Sequence, residues 1–505
     1  MKHQKIEWTK QKTVKSAFLF VLHFILLIAI IGVMLFWGKF DTLEAEMADR
    51  GADYLYTLFC IFLMVIIMYM YFFFEGRNVL AEGKSIGLLF TILDLYLILA
   101  FSIGNQSEHS VYARPVALVA LLVFMLVGRR EAIFMNIVAA LMMFLIDNVA
   151  VTDGEVMKDV YSSLVISFTA GMMAIFFCDK AKTRFKIVGV GLLIVIPIDL
   201  FIFLLEIAGL LDGHMSGGPT SLPEFQGVLT SLGYGVMGGI LSAIIFLAIL
   251  PVFEWLFNCL TVYRLREITS HDAKLLKKLQ QEAPGTFNHS VMVAQLAEAC
   301  AAALGEDVDY ARAAAYYHDV GKLHQPEYFT ENQQEYNPHD ELTPELSADI
   351  IRLHAQDGCD LIKANHLPQF LADVALQHHG TLPIRYFYAK ALKMTDGELN
   401  IEDFSYPGPK PKTKIAAIIM IADGAEAAVR ALPKRTPEAA EKVIRSVIEE
   451  RMDLEQFSDC DITMSDLTII RQTLVGTLTG VYHSRVKYPN IKYGKSARNE
   501  AGENE

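Results

Sequence analysis

The sequence predicts an all-α protein, in which a polytopic transmembrane helical bundle is followed by a cytoplasmic all-helical domain. Its 505 residues are 53% hydrophobic and only 20% charged, with a mean hydropathy of +0.33, which argues against an ordinary soluble protein. The long apolar stretches lie in the first half. Ten of the 14 histidines lie after residue 256, among Ala/Leu/Glu/Lys-rich segments that Gly and Pro separate. Polar chemistry is therefore expected in the second half.

Eight apolar stretches in the first half are long enough for a helix to cross a bilayer, which takes about 20 residues. Helices are expected because every backbone polar group must be satisfied within the hydrocarbon. The fourth stretch is the shortest. The eight predicted spans are 17–37, 54–74, 86–103, 111–127, 132–151, 160–178, 187–211 and 233–256.

Positive charge predicts the orientation of these spans, since short loops rich in Lys and Arg stay in the cytoplasm. Residues 1–16 contain five lysines and are expected inside, and acidic and basic loops alternate after them. Eight crossings return residue 257 to the cytoplasmic side. The first span has no small-residue cleavage site behind it, so it is expected to remain as an anchor.

Acidic residues and a glycine pair inside the predicted spans each suggest a role. Ionisable groups within a membrane often mark a functional site, and a transport role is a minor alternative because no basic partner is evident inside the spans. Gly235 and Gly239 have the spacing of a close helix contact, either within the chain or in a homodimer. The acidic residues within spans are Asp94, Asp147, Asp199 and Glu206.

Charge and cysteine usage argue against two classes of function. The formal net charge is −13 and there are no Lys/Arg-rich runs, so binding of a nucleic-acid polymer is not expected. The six cysteines are scattered without a CxxC pair, which predicts neither a disulfide framework nor a thiolate zinc site.

Residues 257–283 separate the two halves and carry apolar residues at helical spacing with lysines on the other face. They predict an amphipathic helical linker that ends at Pro284 and Gly285. The helical domain then covers residues 284–488. The polar segment 489–505 has too few apolar residues for a core and is predicted to be a disordered tail.

Five predicted helices of this domain carry potential metal ligands at an end or on an apolar face, where a bundle can direct several side chains to one interior point. In helix order these are His289 in a first turn, His318 and Asp319 at the end of the second helix, His354 in the last turn of the third, His378 and His379 at the end of the fourth, and Asp423 within the fifth.

These seven groups, five imidazoles and two carboxylates, exceed what one tetrahedral ion needs. A carboxylate beside a histidine can bridge two ions, so a binuclear site is predicted. Imidazole and carboxylate ligands without thiolates favour Fe, Mn or Zn. The remaining histidines are expected to be structural, and His339 is the one most worth testing as a support for a ligand. These structural histidines are His324, His339, His366 and His483.

The stretch from His318 to Lys322, HDVGK, resembles the doublet that names the HD phosphohydrolase superfamily. Longer stretches resemble one subgroup, the membrane-anchored, multi-span 7TM-HD proteins that hydrolyse the bacterial second messenger cyclic di-AMP. The resemblance covers the whole second domain and the spans leading into it. The stretches include LLKKLQQEAPGTFNHS (275–290), AAAYYHDVGKL (313–323), NPHDELTPELSADII (337–351), HHGT (378–381), FSYPGPKPKTK (404–414), IADGAEAAVRAL (421–432) and YHSRVKYP (482–489).

This resemblance implies a metal-dependent phosphodiesterase in a bacterial cytoplasmic (inner) membrane, which uses two divalent ions, Mn or Fe, to convert cyclic di-AMP to pApA. Asp319 and Lys322 are the implied catalytic residues, with Lys322 placed to contact phosphate or the attacking water. The alternative for Lys322 is a solvated surface lysine. The implied ligands are His289, His318, Asp319 and Asp423 for one ion, and Asp319 as a bridge with His354, His378 and His379 for the other.

Two departures from related proteins limit what the resemblance implies. The 7TM-HD proteins usually carry a large extracellular domain after the first span, whereas GKFDTLEAEMADRGAD is short, so ligand sensing by such a domain is in doubt. Enzymes for cyclic di-GMP typically carry an HHE segment and a Gly-Tyr-Pro signature. This chain has HHGT and lacks that tripeptide, which disfavours cyclic di-GMP.

Three alternatives to this function remain open. The domain could hydrolyse another nucleotide, such as a guanosine polyphosphate or a different cyclic dinucleotide. The chain could instead be a membrane receptor with a catalytically silent, nucleotide-binding HD domain. The spans could also sense a signal and regulate the domain through residues 257–283. The sequence assigns no residue to adenine recognition, because Tyr386, Phe387 and Tyr388 suit base stacking and core packing equally well.

Overall fold

The computed structural model describes residues 10–37, 43–81, 83–107, 109–150, 157–179, 181, 183–215, 222–257, 259–270, 272–333, 335–394 and 398–481. These residues form α-helices and short 3₁₀ turns, and their single β feature is a bridge between Pro383 and Ser405. The chain divides into two compact units, Met1–Glu267 and Ile268–Glu505. The all-α prediction is confirmed. The predicted tail and His483 lie outside the described residues, as do residues 1–9.

The first unit is a helical bundle. Within the described ranges, seven of its helices are long and apolar enough to cross a membrane, namely α1, α2, α4, α6, α7, α8 and α9. The helices of this unit are α1 (Lys10–Phe36), α2 (Leu43–Phe74), α3 (Arg77–Ala81), α4 (Gly83–Gly104), α5 (Leu118–Leu126), α6 (Arg129–Ala150), α7 (Met157–Cys178), α8 (Arg184–Met215), α9 (Leu222–Leu256) and α10 (Val262–Ile268), which crosses the boundary.

The fourth predicted span differs from the other seven. It is a shorter apolar segment, Ser110–Leu126, which consists of a 3₁₀ turn and the nine-residue helix α5. Pro115 has no backbone N–H and disfavours helical angles in the residue before it, and Arg114 is accordingly extended, with φ −59° and ψ 144°. The break therefore follows from the Arg-Pro pair.

Asp147 has a basic partner, contrary to the expectation from sequence. The guanidinium of Arg114 donates two hydrogen bonds to its carboxylate, at 2.5 and 2.9 Å, and the two side chains are 2% and 5% exposed. Burial of two paired charges, one just after the 3₁₀ turn before α5 and the other in α6, is the arrangement expected for ionisable groups inside a membrane bundle. The sequence prediction was wrong because Arg114 lies within the fourth predicted span, 33 residues before Asp147, and no spacing along the chain links the two.

The glycine pair of α9 packs within the chain. A Cβ atom on Gly239 would lie 2.6 Å from Val195 Cγ2 and 3.0 Å from the Gly191 carbonyl oxygen, both on α8. A Cβ atom on Gly235 would lie 2.2 Å from Asp199 Oδ1, also on α8. The spacing thus serves intramolecular packing of α8 on α9, and a homodimer stays a prediction.

The linker contains two short helices rather than one. Helix α10 ends at Ile268, and α11 begins at Lys274 and ends at Glu282. The second of them, α11, ends two residues before Pro284, and Pro284 is itself the first residue of the next helix, α12. Proline is favourable there because the first helical residue needs no hydrogen-bonded N–H. His289 consequently lies in the second turn of α12 rather than in the first.

The second unit surrounds the apolar helix α17, which is buried from Ala416 to Ala422 and packs with α12, α13 and α19. The helices of this unit are α11 (Lys274–Glu282), α12 (Pro284–Leu304), α13 (Val308–Tyr317), α14 (Pro344–Ala364), α15 (Gln369–Gln377), α16 (Arg385–Leu392), α17 (Lys414–Arg430), α18 (Pro437–Asp453) and α19 (Met464–Val481).

Helix α14 continues past the point where the sequence predicts its end. It runs through Gly358 to Ala364, so His354 lies in its middle rather than in its last turn. A Cβ atom on Gly358 would lie 3.3 Å from the backbone nitrogen of Gly321, and a Cβ atom on Gly321 would lie only 1.9 Å from the carbonyl oxygen of His354. Gly358 is therefore a packing residue where the turn after Asp319 crosses α14, and not a stop signal.

Candidate metal centre

All seven predicted ligands come together in the second unit. His318 caps the end of α13 and Asp319 follows it, His378 caps the end of α15 and His379 follows it, and the other three ligands lie within helices. Two groups of potential ligand atoms each fall within 4.8 Å of one another, and Asp319 belongs to both. These groups are His289, His318 and Asp319, and Asp319, His354, His378 and His379.

The Asp319 carboxylate turns one oxygen toward each group. Oδ2 lies 3.4 Å from His318 Nε2 and 3.7 Å from His289 Nε2. Oδ1 lies 3.4 Å from His354 Nε2 and 3.5 Å from His378 Nε2. Two atoms bound about 2.1 Å from one tetrahedral ion lie about 3.4 Å apart, so these separations match those of ligands sharing an ion.

Asp423 belongs to neither group, but its carboxylate has one oxygen near a histidine of each. Its Oδ1 is 2.9 Å from His289 Nε2 and 4.0 Å from His318 Nε2. Its Oδ2 is 3.9 Å from His379 Nδ1. Asp423 and His379 are also the most exposed of the seven side chains, at 14% and 21%, whereas His318, Asp319 and His378 are at most 2% exposed. The centre is therefore open on the side of Asp423 and His379.

Backbone carbonyls orient three of the imidazoles. Nδ1 of His318 donates to the Ala315 oxygen at 2.7 Å, and Nδ1 of His354 and His378 donate to carbonyls three residues earlier, each at 2.6 Å. Because a carbonyl only accepts, each Nδ1 carries the proton. Each Nε2 lone pair is then free to face the centre, which is the tautomer that a metal ligand needs.

The charge states of the centre also suit cation binding. Burial lowers the pKa of His354 to about 3, with a further contribution from the neighbouring His378. Burial alone would raise the pKa of Asp319, but Lys322 and His318 outweigh it and hold that pKa well below its usual range. Neutral imidazoles beside ionised carboxylates are the protonation states in which these groups bind metal.

His289 is the exception among the imidazoles. Burial opposes its protonation, but hydrogen bonds to Asp423 and Glu426 raise its pKa to about 10. A proton on this ring balances the surrounding carboxylates, and a bound dication would take over that role. The buried His318 Nε2 and Asp319 Oδ1 have no hydrogen-bond partner in the described part of the chain, which fits a bound cation as the missing partner. The ligand types present therefore fit divalent Mn, Fe or Zn.

Lys322 is not a solvated lysine. Its side chain is 12% exposed, and Nζ lies 2.7 Å from Asp319 Oδ2 and 2.8 Å from Glu331 Oε1. The ammonium also lies 5.0 Å from the centre of the Phe329 ring. Burial would lower the pKa of Lys322, but the two carboxylates outweigh it and raise that pKa, so the side chain is a fixed cation at the edge of the centre.

Sequence reasoning missed three residues of the site. Glu331 holds Lys322, and Tyr406 stacks on His379 with ring centres 4.3 Å apart. Glu426 bonds to His289. Glu426 had a usable signal, because it lies three residues after Asp423 and therefore on the same face of a helix. Glu331 reaches the site from a three-residue 3₁₀ turn and Tyr406 from an irregular segment, and spacing along the chain predicts no direction for either.

The other predicted residues lie away from the seven ligands. His339 is buried, its Nε2 donates to the Tyr328 oxygen at 2.9 Å, and its ring packs on Tyr328 and Phe387. It therefore stabilises the loop before α14. His324 and His366 are exposed. Of the three aromatic residues of α16, Phe387 is in a core cluster, Tyr388 packs against that cluster, and Tyr386 is 70% exposed.

Comparisons with known proteins agree with this architecture. A family described as "HD domain" matches residues 286–428, and one described as "7TM receptor with intracellular HD hydrolase" matches residues 52–261. The chain is 36% identical over 438 residues to the cyclic-di-AMP phosphodiesterase PgpH of Bacillus subtilis (strain 168), which covers 86% of this chain and 59% of that protein.

Two further relatives come from Listeria monocytogenes. PgpH of serotype 1/2a (strain 10403S), a cyclic-di-AMP phosphodiesterase, is 48% identical over 265 residues, which covers 52% of this chain and 37% of that protein. A crystal structure of the L. monocytogenes PgpH HD domain in complex with cyclic-di-AMP is 50% identical. It covers 42% of this chain and 99% of that chain, with a TM-score of 0.41. This chain thus spans 59% or less of the two full-length phosphodiesterases.

Proposed function

The chain belongs to the family of 7TM receptors with an intracellular HD hydrolase, and on this premise we propose that it is a membrane-bound, metal-dependent phosphodiesterase that hydrolyses cyclic di-AMP to pApA. The observation that carries the proposal is the Asp319 carboxylate, which presents one oxygen to each of two imidazole groups. A carboxylate shared in this way is what a binuclear hydrolytic centre requires.

In this proposal four side chains would hold each ion, and Asp319 would belong to both sets. Bound ions would lower the pKa of a coordinated water and polarise the scissile phosphate. The first ion would take His289, His318, Asp319 and Asp423, and the second would take Asp319, His354, His378 and His379. The carbonyl-bonded imidazoles hold their Nε2 atoms toward the centre before any ion binds, which lowers the reorganisation that binding requires.

The chain's own side chains would orient the substrate. A phosphate would approach over Asp423 and His379, because these are the most exposed of the seven. Lys322 at the edge of the centre would then donate hydrogen bonds to the phosphoryl oxygens and stabilise the negative charge that develops on them. Glu331 would keep the Lys322 ammonium in place when Asp319 is engaged with the ions.

The choice of cyclic di-AMP is supported by the two relatives that carry this activity in their names, at 36% and 48% identity. Purified full-length chain, loaded with Mn²⁺ or Fe²⁺, is expected to convert cyclic di-AMP to pApA. His378→Ala should lower the rate by more than about 100-fold, because it removes a proposed metal ligand. The exposed His366→Ala is the matched control. An unchanged rate in His378→Ala would contradict the proposal.

A substrate panel at equal metal loading separates the alternatives. Faster turnover of a guanosine polyphosphate or of another cyclic dinucleotide would show that this nucleotide, and not cyclic di-AMP, is the preferred substrate. Tight binding of cyclic di-AMP without turnover at any metal loading would instead favour a receptor with a silent domain.

We also propose that the second unit lies in the cytoplasm of a bacterial cell. The lysine-rich amino-terminal segment supports this orientation, provided that Ser110–Leu126 completes the eighth crossing. A reporter fused after Val481 should be active on the same side as one fused before Lys10. Reporters on opposite sides would show that Ser110–Leu126 does not cross.

A further inference from the structure

Resting on the proposed metal centre, we propose that Glu426 is a positioning residue that prepares His289 to bind the first metal ion. The observation behind this proposal is a chain of two contacts through one ring. Nδ1 of His289 lies 2.7 Å from Glu426 Oε2, and Nε2 of the same ring lies 2.9 Å from Asp423 Oδ1. The imidazole therefore joins a buried carboxylate on one side to the centre on the other.

The Glu426 side chain is buried in the interior of the second unit. It is 2% exposed, and burying a carboxylate is costly unless its charge is used. Its Oε2 also lies 3.5 Å from a guanidinium nitrogen of Arg430, one turn further along α17. The carboxylate thus has a cation on one side and the imidazole N–H on the other.

Helix α17 presents both carboxylates to the same ring. Asp423 and Glu426 are three residues apart and so project from one face, which packs on α12, where His289 lies. Asp423, which contacts Nε2 of the ring, is the carboxylate proposed to bind metal. Glu426 acts on the opposite nitrogen, where it sets which tautomer the ring adopts and how far the ring can rotate.

His289 differs from the other three Nε2 ligands in its Nδ1 partner. His318, His354 and His378 bond to backbone carbonyls of their own helices, whereas His289 bonds to a carboxylate side chain on another helix. A carboxylate makes the ring a stronger electron donor than a carbonyl does, and loss of such a partner typically weakens metal binding about 10- to 100-fold. The first ion should therefore depend on Glu426 and the second should not.

The test measures binding of Mn²⁺ alone to the full-length chain, by the loss of the free-ion EPR signal. Glu426→Ala is expected to raise the Kd of one of the two ions about 10- to 100-fold and to leave the other Kd unchanged. Glu426→Gln can still accept the Nδ1 hydrogen bond and should fall between the wild-type chain and Glu426→Ala. Glu441→Ala is the matched control, because Glu441 is an exposed glutamate of α18 that likewise faces an arginine one turn later.

The outcomes separate this inference from the proposed activity. Wild-type Kd values for both ions in Glu426→Ala would overturn the positioning role, and so would an equal weakening of both ions in Glu426→Gln. Wild-type chain that binds two Mn²⁺ ions but does not turn over cyclic di-AMP would reject the activity. A site-selective loss in Glu426→Gln would still support the role of Glu426, even if Glu426→Ala failed to fold.

Discussion

Gly321 is the position where one added methyl group should do the most damage to the centre. In Gly321→Ala the new Cβ atom would lie 1.9 Å from the carbonyl oxygen of His354 and 2.4 Å from the backbone nitrogen of Gly358. Both are backbone atoms of α14 and cannot rotate away. An ordinary contact needs about 3.4 Å, so the turn that carries Asp319 must move by roughly 1.5 Å relative to α14.

That displacement acts directly on the proposed second ion. Asp319 is two residues before Gly321, and its Oδ1 lies 3.4 Å from His354 Nε2 on the helix that must move away. A misplacement of about 1 Å typically costs about 100-fold in rate. Overpacking a buried site also costs about 1 to 3 kcal/mol of stability. We therefore expect at least a 100-fold loss of cyclic di-AMP hydrolysis with a modest fall in Tm.

The assay compares Gly321→Ala with Gly476→Ala in the full-length chain, by Mn²⁺ affinity, hydrolysis rate and Tm. Gly476 lies in α19, and a Cβ atom there would meet no other described atom within 4 Å. It should leave activity intact and raise stability slightly, because alanine favours helix over glycine by about 0.5 to 1 kcal/mol. Wild-type metal affinity and rate in Gly321→Ala would refute the reasoning, since they would mean that the turn that carries Asp319 can move without disturbing the ligands.

Three further predictions address charge. Arg114→Leu should lower the Tm of the membrane unit and its yield in detergent, since an uncompensated buried Asp147 costs about 3 to 5 kcal/mol, and the double variant with Asp147→Leu should recover most of the loss. In metal-free protein the folded-state pKa of His354, about 3, lies below its usual 6.5, so the unfolded chain binds the extra proton. The free energy of unfolding should therefore fall as the pH drops from about 6.5 toward 3. His354→Gln should flatten this part of a plot of that free energy against pH, and an unchanged slope would contradict the prediction. Lys322→Gln should reduce kcat by about 100-fold with little change in Mn²⁺ affinity, whereas the exposed Lys442→Gln should alter neither, and equal losses of affinity and kcat would point to a structural role.

Local signals predicted much of the centre. The histidines at the end of α15 were recognisable because Gly380, which has φ 52°, follows them. The same reasoning placed His354 wrongly, at the end of α14. A glycine that ends a helix and a glycine that lets another backbone approach look the same in a sequence, and only the packing of Gly358 on Gly321 distinguishes them.

Features that depend on neighbours along the chain follow from the sequence: the apolar lengths of the seven long spans, the helical character of both units and the supply of seven imidazole and carboxylate ligands. Tertiary structure alone decided which groups meet across helices, such as Asp147 with Arg114, Lys322 with Glu331 and His289 with Glu426. The physical reason is that helix formation follows from contacts three or four residues apart. The partner of a buried charge is chosen by the packing of distant helices, since desolvation forces each such charge to find a counterpart wherever the fold provides one.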